Sequence, residues 1–158
     1  MILIEDNFFT ESDCNLFKNL FVSNEKSSEP YRDIFILDLL KVEPKLTAKL
    51  CSLLSSFLSH RGVKAFPETI QIVKWPTNSK QDLHVDKKYR ILTSITYLNN
   101  SFKGGETYFT NGVVIKPEIG KTVFFDGKFY EHGVNQVEDG ERYVIATWYS
   151  NDINELYI

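Results

Sequence analysis

Three histidines occur in the chain, and one of them, His84, stands two residues before Asp86 in the stretch DLHVDKKYR. On an extended backbone, residues i and i+2 point to the same side, so an imidazole and a carboxylate could grip one metal ion. His132, in YEHGVNQV, opens a late strand far along the chain and can supply a third ligand. Two imidazoles and one carboxylate on one face of a metal leave three positions open, which suits a facial Fe(II) site. A catalytic zinc would use a similar set and leave fewer positions free. H-x-D alone is a weak signal, since a polar strand end looks the same; the distant histidine is what strengthens it. His60 falls in the last turn of a helix and reads as structural or incidental.

Ten residues after His132 comes Arg142, with NQVEDGE read as the turn between two strands. Alternation places Arg142, Val144, Ala146 and Trp148 on one strand face and Tyr143, Ile145 and Thr147 on the other. An arginine leading an apolar face is costly unless it meets an anion, and a guanidinium is the preferred two-pronged partner of a carboxylate. That anion could be an internal Asp or Glu. Taken by itself the internal partner is the favoured reading, and a dicarboxylate that chelates the metal with its other end is the alternative.

These residues need elements to hold them. MILIEDNFF reads as a short strand, and Thr10 can cap a helix whose stripe is Phe17, Leu20 and Phe21. SNEKSSEPYRD (residues 23–33) reads as a surface loop and IFILDLLKV as a strand. Pro44 then opens the clearest helix, with Leu46, Leu50, Leu53, Leu54, Phe57 and Leu58 on one stripe and Gly62 ending it. From Phe66 the pattern changes to seven or eight short strands with turn punctuation. Two helices followed by a sandwich or barrel-like double sheet is the expected architecture.

With 158 residues, 42% hydrophobic and 14% aromatic, the chain has ample core material. A net charge of −3 and a pI near 5.6 give no electrostatic footprint for nucleic acid or membrane surfaces. Cys14 and Cys51 lie in apolar helical segments and read as buried free thiols of a reducing, cytoplasmic setting. No signal peptide and no membrane-length apolar run is visible.

In their order, LHVD, TYLN, GGETYF, KPEIGKTVFFDG, EHGVNQV and RYVIATWY make residues 67–150 resemble the prolyl 4-hydroxylase-like 2-oxoglutarate/Fe(II) dioxygenases. The resemblance implies an α+β, mainly β fold: a double-stranded β-helix (jelly-roll, cupin-like) over 66–150, with supporting helices and strands over 1–65, in one domain spanning 1–158. It implies Fe(II) on His84, Asp86 and His132, and 2-oxoglutarate and dioxygen as co-substrates, with ascorbate as an expected reductant. Arg142 would take the distal carboxylate of 2-oxoglutarate, Tyr97 would bond the same group, and Thr107 would lie along the co-substrate. Trp75 and Trp148 would stand on the substrate side, while Gly104 and Gly105 serve a turn or bulge. The implied reaction hydroxylates a C–H bond of a prolyl residue in a peptide or protein and releases succinate and carbon dioxide; a free amino acid or other small molecule is the alternative substrate. A non-catalytic double-sheet binding module is the rival of another class. Trp75-Pro76 stands where many relatives have tyrosine before proline, and PTNSKQD is polar rather than glycine-rich. The loops at 23–33 and 76–82 are the segments expected to border the mouth.

Overall fold

A computed structural model describes residues 1–151; residues 152–158, the end of the span read as one domain, lie outside the described residues. The chain enters as strand β1 (Ile2–Glu5) and reverses into helix α1 (Glu11–Ser23). The Thr10 hydroxyl accepts the Asp13 N–H at 3.1 Å, the side-chain cap expected there. Cys14, Phe17 and Phe21 form its buried face.

Residues 23–33 are not a plain loop. They form a 3-10 turn (Glu25–Ser27) and strand β2 (Glu29–Tyr31), paired with β3 (Ile34–Asp38). Pro30 is tolerated because β2 is the outermost strand of its sheet, where one edge needs no donors. IFILDLLKV also departs from a continuous strand. The Asp38 side chain accepts the Leu40 N–H at 3.0 Å and caps the short helix α2 (Leu39–Val42), so a local side-chain bond wins over the ladder.

Helix α3 (Pro44–Ser59) starts at Pro44, and Gly62 at φ +75° lets the Val63 N–H reach back to the Leu58 carbonyl. Its buried residues are Thr47, Leu50, Leu54 and Leu58. Leu53, expected on that stripe, is 46% exposed; it sits one position from Leu54, about 100° around the helix. Cys14 is buried, whereas Cys51 is only half-buried. His60 caps the end of α3, its Nδ1 on the Ser56 carbonyl at 2.7 Å.

The remaining strands are β4 (Phe66–Trp75), β5 (Gln81–His84), β6 (Leu92–Tyr97), β7 (Phe102–Gly104) and β8 (Thr107–Phe109). They continue with β9 (Val114–Ile115), β10 (Thr122–Phe125), β11 (His132–Val134), β12 (Val137–Gly140) and β13 (Arg142–Ser150). A seven-stranded sheet runs β1-β10-β6-β13-β4-β3-β2, and a four-stranded sheet runs β5-β11-β8-β9. All their pairings are antiparallel. This is a double-stranded β-helix with its helices packed outside the larger sheet. NQVEDGE is more than a turn, because β12 pairs with β7 in a separate ribbon.

Strand β13 shows how one sequence serves two cores. Tyr143, Ile145 and Tyr149 join Phe17, Phe21, Leu50 and Leu54 in the layer under the helices. Val144 and Ala146 join Val73, Phe109 and Val134 in the layer between the sheets. Alternate residues meet opposite layers, so β13 reads as nearly continuous apolar sequence. Residues 76–82 are tied down as well: the Asn78 N–H donates to the Val137 carbonyl at 2.7 Å, and the Val137 N–H donates to the Ser79 carbonyl at 2.9 Å. Among the described residues, no helix is long and apolar enough to cross a membrane.

Candidate active site

His132 lies directly across the ladder from His84, where β11 pairs with β5. That register brings the two imidazoles to 4.3 Å between ring centroids. Asp86 falls just beyond the end of β5, its N–H on the Gly127 carbonyl at 2.8 Å. The carboxylate therefore arrives through a loop anchored on residue 127 and not by strand alternation. Candidate ligand atoms of His84, Asp86 and His132 all lie within 4.8 Å of one another.

The tautomers follow from the neighbours. His132 Nδ1 bonds the Tyr130 carbonyl at 2.7 Å, and His84 Nδ1 bonds the Asp82 carbonyl at 3.1 Å. A carbonyl only accepts, so each Nδ1 carries the proton and each Nε2 presents a lone pair. The Nε2 atoms stand 3.7 Å (His84) and 3.6 Å (His132) from Asp86 Oδ1. Burial pushes the His132 pKa below its ordinary value, opposed by the Tyr130 carbonyl and the Asp86 charge, so the neutral, ligating form is favoured. Three acceptors facing one point need a cation between them. Nitrogen, nitrogen and a carboxylate oxygen suit Fe(II) or a comparable divalent ion.

The same cavity, about 130 Å³, runs from this cluster to Arg142 between the two sheets. Its walls include Val73, Ile95, Val134, Val144 and Ala146. Arg142 is 1% exposed. Its Nε donates to the Gly105 carbonyl at 2.8 Å and its Nη2 to Thr107 Oγ1 at 3.2 Å. Its guanidinium lies over the rings of Trp75 and Tyr97, 4.9 and 5.3 Å from their centroids. Among the described residues, no carboxylate comes within ion-pair distance of it. The internal salt bridge that would have explained this arginine is not formed among the described residues. Desolvation draws this fully buried cation below its ordinary pKa, and burial without a counter-charge is costly unless an anion meets it.

Thr107 lines the cavity, and Tyr97 stands behind it. The Tyr97 hydroxyl bonds Thr107 Oγ1 at 2.7 Å and accepts the Thr107 N–H at 3.3 Å. Gly104 and Gly105 both have positive φ, +76° and +69°, as their turn role requires. Gly105 does more, since its carbonyl orients Arg142. Trp75 and Trp148 both line the cavity, Trp75 buried against Arg142 and Trp148 half-buried beneath the Arg90 guanidinium.

Some contributors were expected only as parts of the loops near the mouth, and others not at all. Tyr31, Ile34 and Ile36, from the segments read as loop and plain strand, form part of the wall, as do Gln71 and Gln81. Thr93 bonds Asp86 Oδ2 at 2.5 Å. Alternation back from Tyr97 along β6 would have placed Thr93 and Ile95 on the cavity face; Tyr31 lies in the 23–33 loop expected at the mouth, with nothing to single it out within that loop.

A sequence profile of the 2OG-Fe(II) oxygenase superfamily matches residues 70–150, just over half of the chain. The chain belongs to this superfamily. Fe(II) and 2-oxoglutarate are the metal and co-substrate of these oxygenases, and the donor set with its buried, anion-free arginine fits both. Prolyl 3-hydroxylase 1 of Gallus gallus and of Homo sapiens is each 37% identical over 71 residues, 40% of this chain. The match covers a tenth of those proteins' length. In three dimensions the chain is similar to the viral collagen prolyl hydroxylase of Paramecium Bursaria Chlorella virus-1, solved with 2-oxoglutarate: TM-score 0.80, 20% identity, 96% of each chain covered. It is also similar to a prolyl hydroxylase of Trichoplax adhaerens solved with a hypoxia inducible factor peptide fragment: TM-score 0.78, 19% identity, 98% of this chain and 85% of that one. At that identity the likeness establishes the double-stranded β-helix.

Proposed function

We propose that the chain binds Fe(II) through His84, Asp86 and His132, takes 2-oxoglutarate against Arg142, and hydroxylates a prolyl residue in a peptide or protein. The observation that carries this reading is the pairing, in one cavity, of a three-acceptor cluster with a buried guanidinium that meets no carboxylate among the described residues. Bound there, Fe(II) and 2-oxoglutarate would let dioxygen act as the oxidant, one of its oxygen atoms ending in succinate, with carbon dioxide released, and the other in the hydroxylated product. The chain orients these groups and keeps water out. Arg142, braced by Gly105 and Thr107, fixes the distal carboxylate, and Tyr97 holds the Thr107 hydroxyl in place. Val73, Ile95, Val134 and Val144 exclude water around the reacting groups.

The relatives support the substrate class, since prolyl hydroxylases stand among both the sequence matches and the structural neighbours. The surface beside the ligands supports a peptide, because Leu83, Val85 and Tyr89 are all exposed around the H-x-D stretch. Such side chains offer apolar contact to an extended chain. The test starts without oxygen: Fe(II) and then 2-oxoglutarate are added and the visible charge-transfer band of the chelated keto acid is recorded. Proline-containing peptides, free amino acids and oxygen follow, with succinate release and mass gain of one oxygen atom as readouts. A band that His132→Ala abolishes, with hydroxylated peptide, supports the reading in full. Hydroxylation of a free amino acid but of no peptide would move the substrate to the small-molecule class. A folded protein with neither band nor 2-oxoglutarate binding would leave the double-sheet binding module as the better account.

A further inference from the structure

Asp86 has two oxygens, and the fold treats them differently. Oδ1 faces both histidine Nε2 atoms. Oδ2 accepts the Thr93 hydroxyl proton at 2.5 Å, a short charge-assisted bond. The carboxylate side chain is 7% exposed and Thr93 2%, so water does not compete for that oxygen. Gly127 closes the other side. A methyl group built there would collide with Asp86 Oδ2 and come within 2.8 Å of the Thr93 hydroxyl oxygen. The Gly127 carbonyl also holds the Asp86 N–H at 2.8 Å. Thr93 and residue 127 thus fix the carboxylate in rotation as well as position, although Thr93 is seven residues away and Gly127 forty-one.

We infer that Thr93 is a positioning residue that occupies Asp86 Oδ2 and leaves only Oδ1 for the metal. The inference rests on the triad reading above. Its physical content is coordination number. A free Asp86 carboxylate could swing and bind through both oxygens, filling a position that a chelating keto acid or dioxygen needs. With Oδ2 committed to Thr93, the protein contributes three donor atoms and keeps three positions open. Partners of metal ligands set ligand orientation and basicity, and their loss typically costs about 10- to 100-fold in metal affinity.

The experiment uses Thr93→Val, which keeps the β-branched shape without the hydroxyl, Thr93→Ser, which keeps the hydroxyl, and Asp86→Ala. Metal-free protein is titrated with Co(II) alone, following heat and the d–d absorption; urea unfolding of the metal-free proteins is measured separately. The expected result is an altered d–d spectrum in Thr93→Val, the mark of a second Asp86 oxygen on the metal, with a Co(II) affinity changed by about 10- to 100-fold and Thr93→Ser close to the parent in both. A parent-like spectrum in Thr93→Val, or an equal change in Thr93→Ser, overturns the inference even if metal-free stability has changed. Should Thr93→Val not fold, Thr93→Ala against Thr93→Ser makes the same comparison. Parent-like Co(II) binding in Asp86→Ala would instead remove the triad itself, a failure distinguishable from that of Thr93 alone.

Discussion

Replacing Arg142 by methionine separates a residue that builds the fold from one that awaits a ligand. Methionine retains an unbranched chain in the same space but carries no charge. In the folded protein the change removes a desolvated cation that has no anion among the described residues, which is a gain. It also removes the bonds to the Gly105 carbonyl and the Thr107 hydroxyl, which is a loss of about 1–3 kcal/mol for each group left unpaired. The two effects oppose one another, so the unfolding free energy without ligand should stay within about 2 kcal/mol of the parent. Binding of 2-oxoglutarate has no such compensation. Truncating one side of a buried charge pair costs about 2–5 kcal/mol, which is roughly 30-fold to several-thousand-fold in affinity at about 1.4 kcal/mol per decade. The assay is calorimetric titration of Mn(II)-loaded protein with 2-oxoglutarate and with 2-oxobutyrate, which lacks the distal carboxylate. The parent should prefer 2-oxoglutarate strongly and the variant should bind the two alike. At a hundredfold excess over its dissociation constant, the ligand should stabilise the parent by about 2.7 kcal/mol, a rise visible on melting that the variant lacks. Undiminished preference for 2-oxoglutarate in Arg142→Met would refute the assignment. A ligand-free protein that no longer folds would show the arginine to be structural.

Gly105→Ala should lower stability by about 1–2 kcal/mol, because φ is +69° and the new methyl would press on Arg142 Cδ and the Phe102 ring; it should also weaken 2-oxoglutarate binding, read in the same titration. Leu54→Ala should cost about 2–5 kcal/mol in urea unfolding, whereas Leu53→Ala should change little, since Leu54 is buried and Leu53 is not. Lys74 joins Glu25 at 2.7 Å and Glu141 at 3.0 Å, and the hydrogen bond it donates to Glu25 raises its pKa above the ordinary lysine value, with Glu141 adding to it against desolvation. A raised folded-state pKa means the stabilisation is complete below the ordinary lysine pKa and is lost only as pH climbs through the raised one. Lys74→Met should therefore cost about 1 kcal/mol, constant from pH 8 to pH 10 in denaturant titrations; a penalty that disappears by pH 9 would contradict this.

Much of the chemistry was legible in residue types and spacing. His84, Asp86, His132 and Arg142 were identifiable because few residue types bind metals or dicarboxylates, and because alternation on β13 fixes a face once the strand is recognised. Helix starts at Thr10 and Pro44, and the end at Gly62, were equally local, since caps and positive φ depend on single residues. Other features were not local. Leu53 and Leu54 are both leucine, and only the direction from which the sheet approaches α3 decides which is buried. Asp38 could continue a strand or cap a helix, and Tyr31 could have been any loop tyrosine, until the outer edge of the larger sheet placed β2 and β3 beside β4. The pairing of Arg142 with an internal acid was undecidable from sequence and is absent among the described residues. Thr93 and Gly127 acquire meaning only where two strands and a loop bring them to one carboxylate. The sequence by itself determined which atoms can bind a metal and an anion, because that is a property of side chains. The tertiary structure decided which of those atoms meet, which oxygen is left free, and which cation meets no carboxylate among the described residues, because those are properties of distance and exclusion of water.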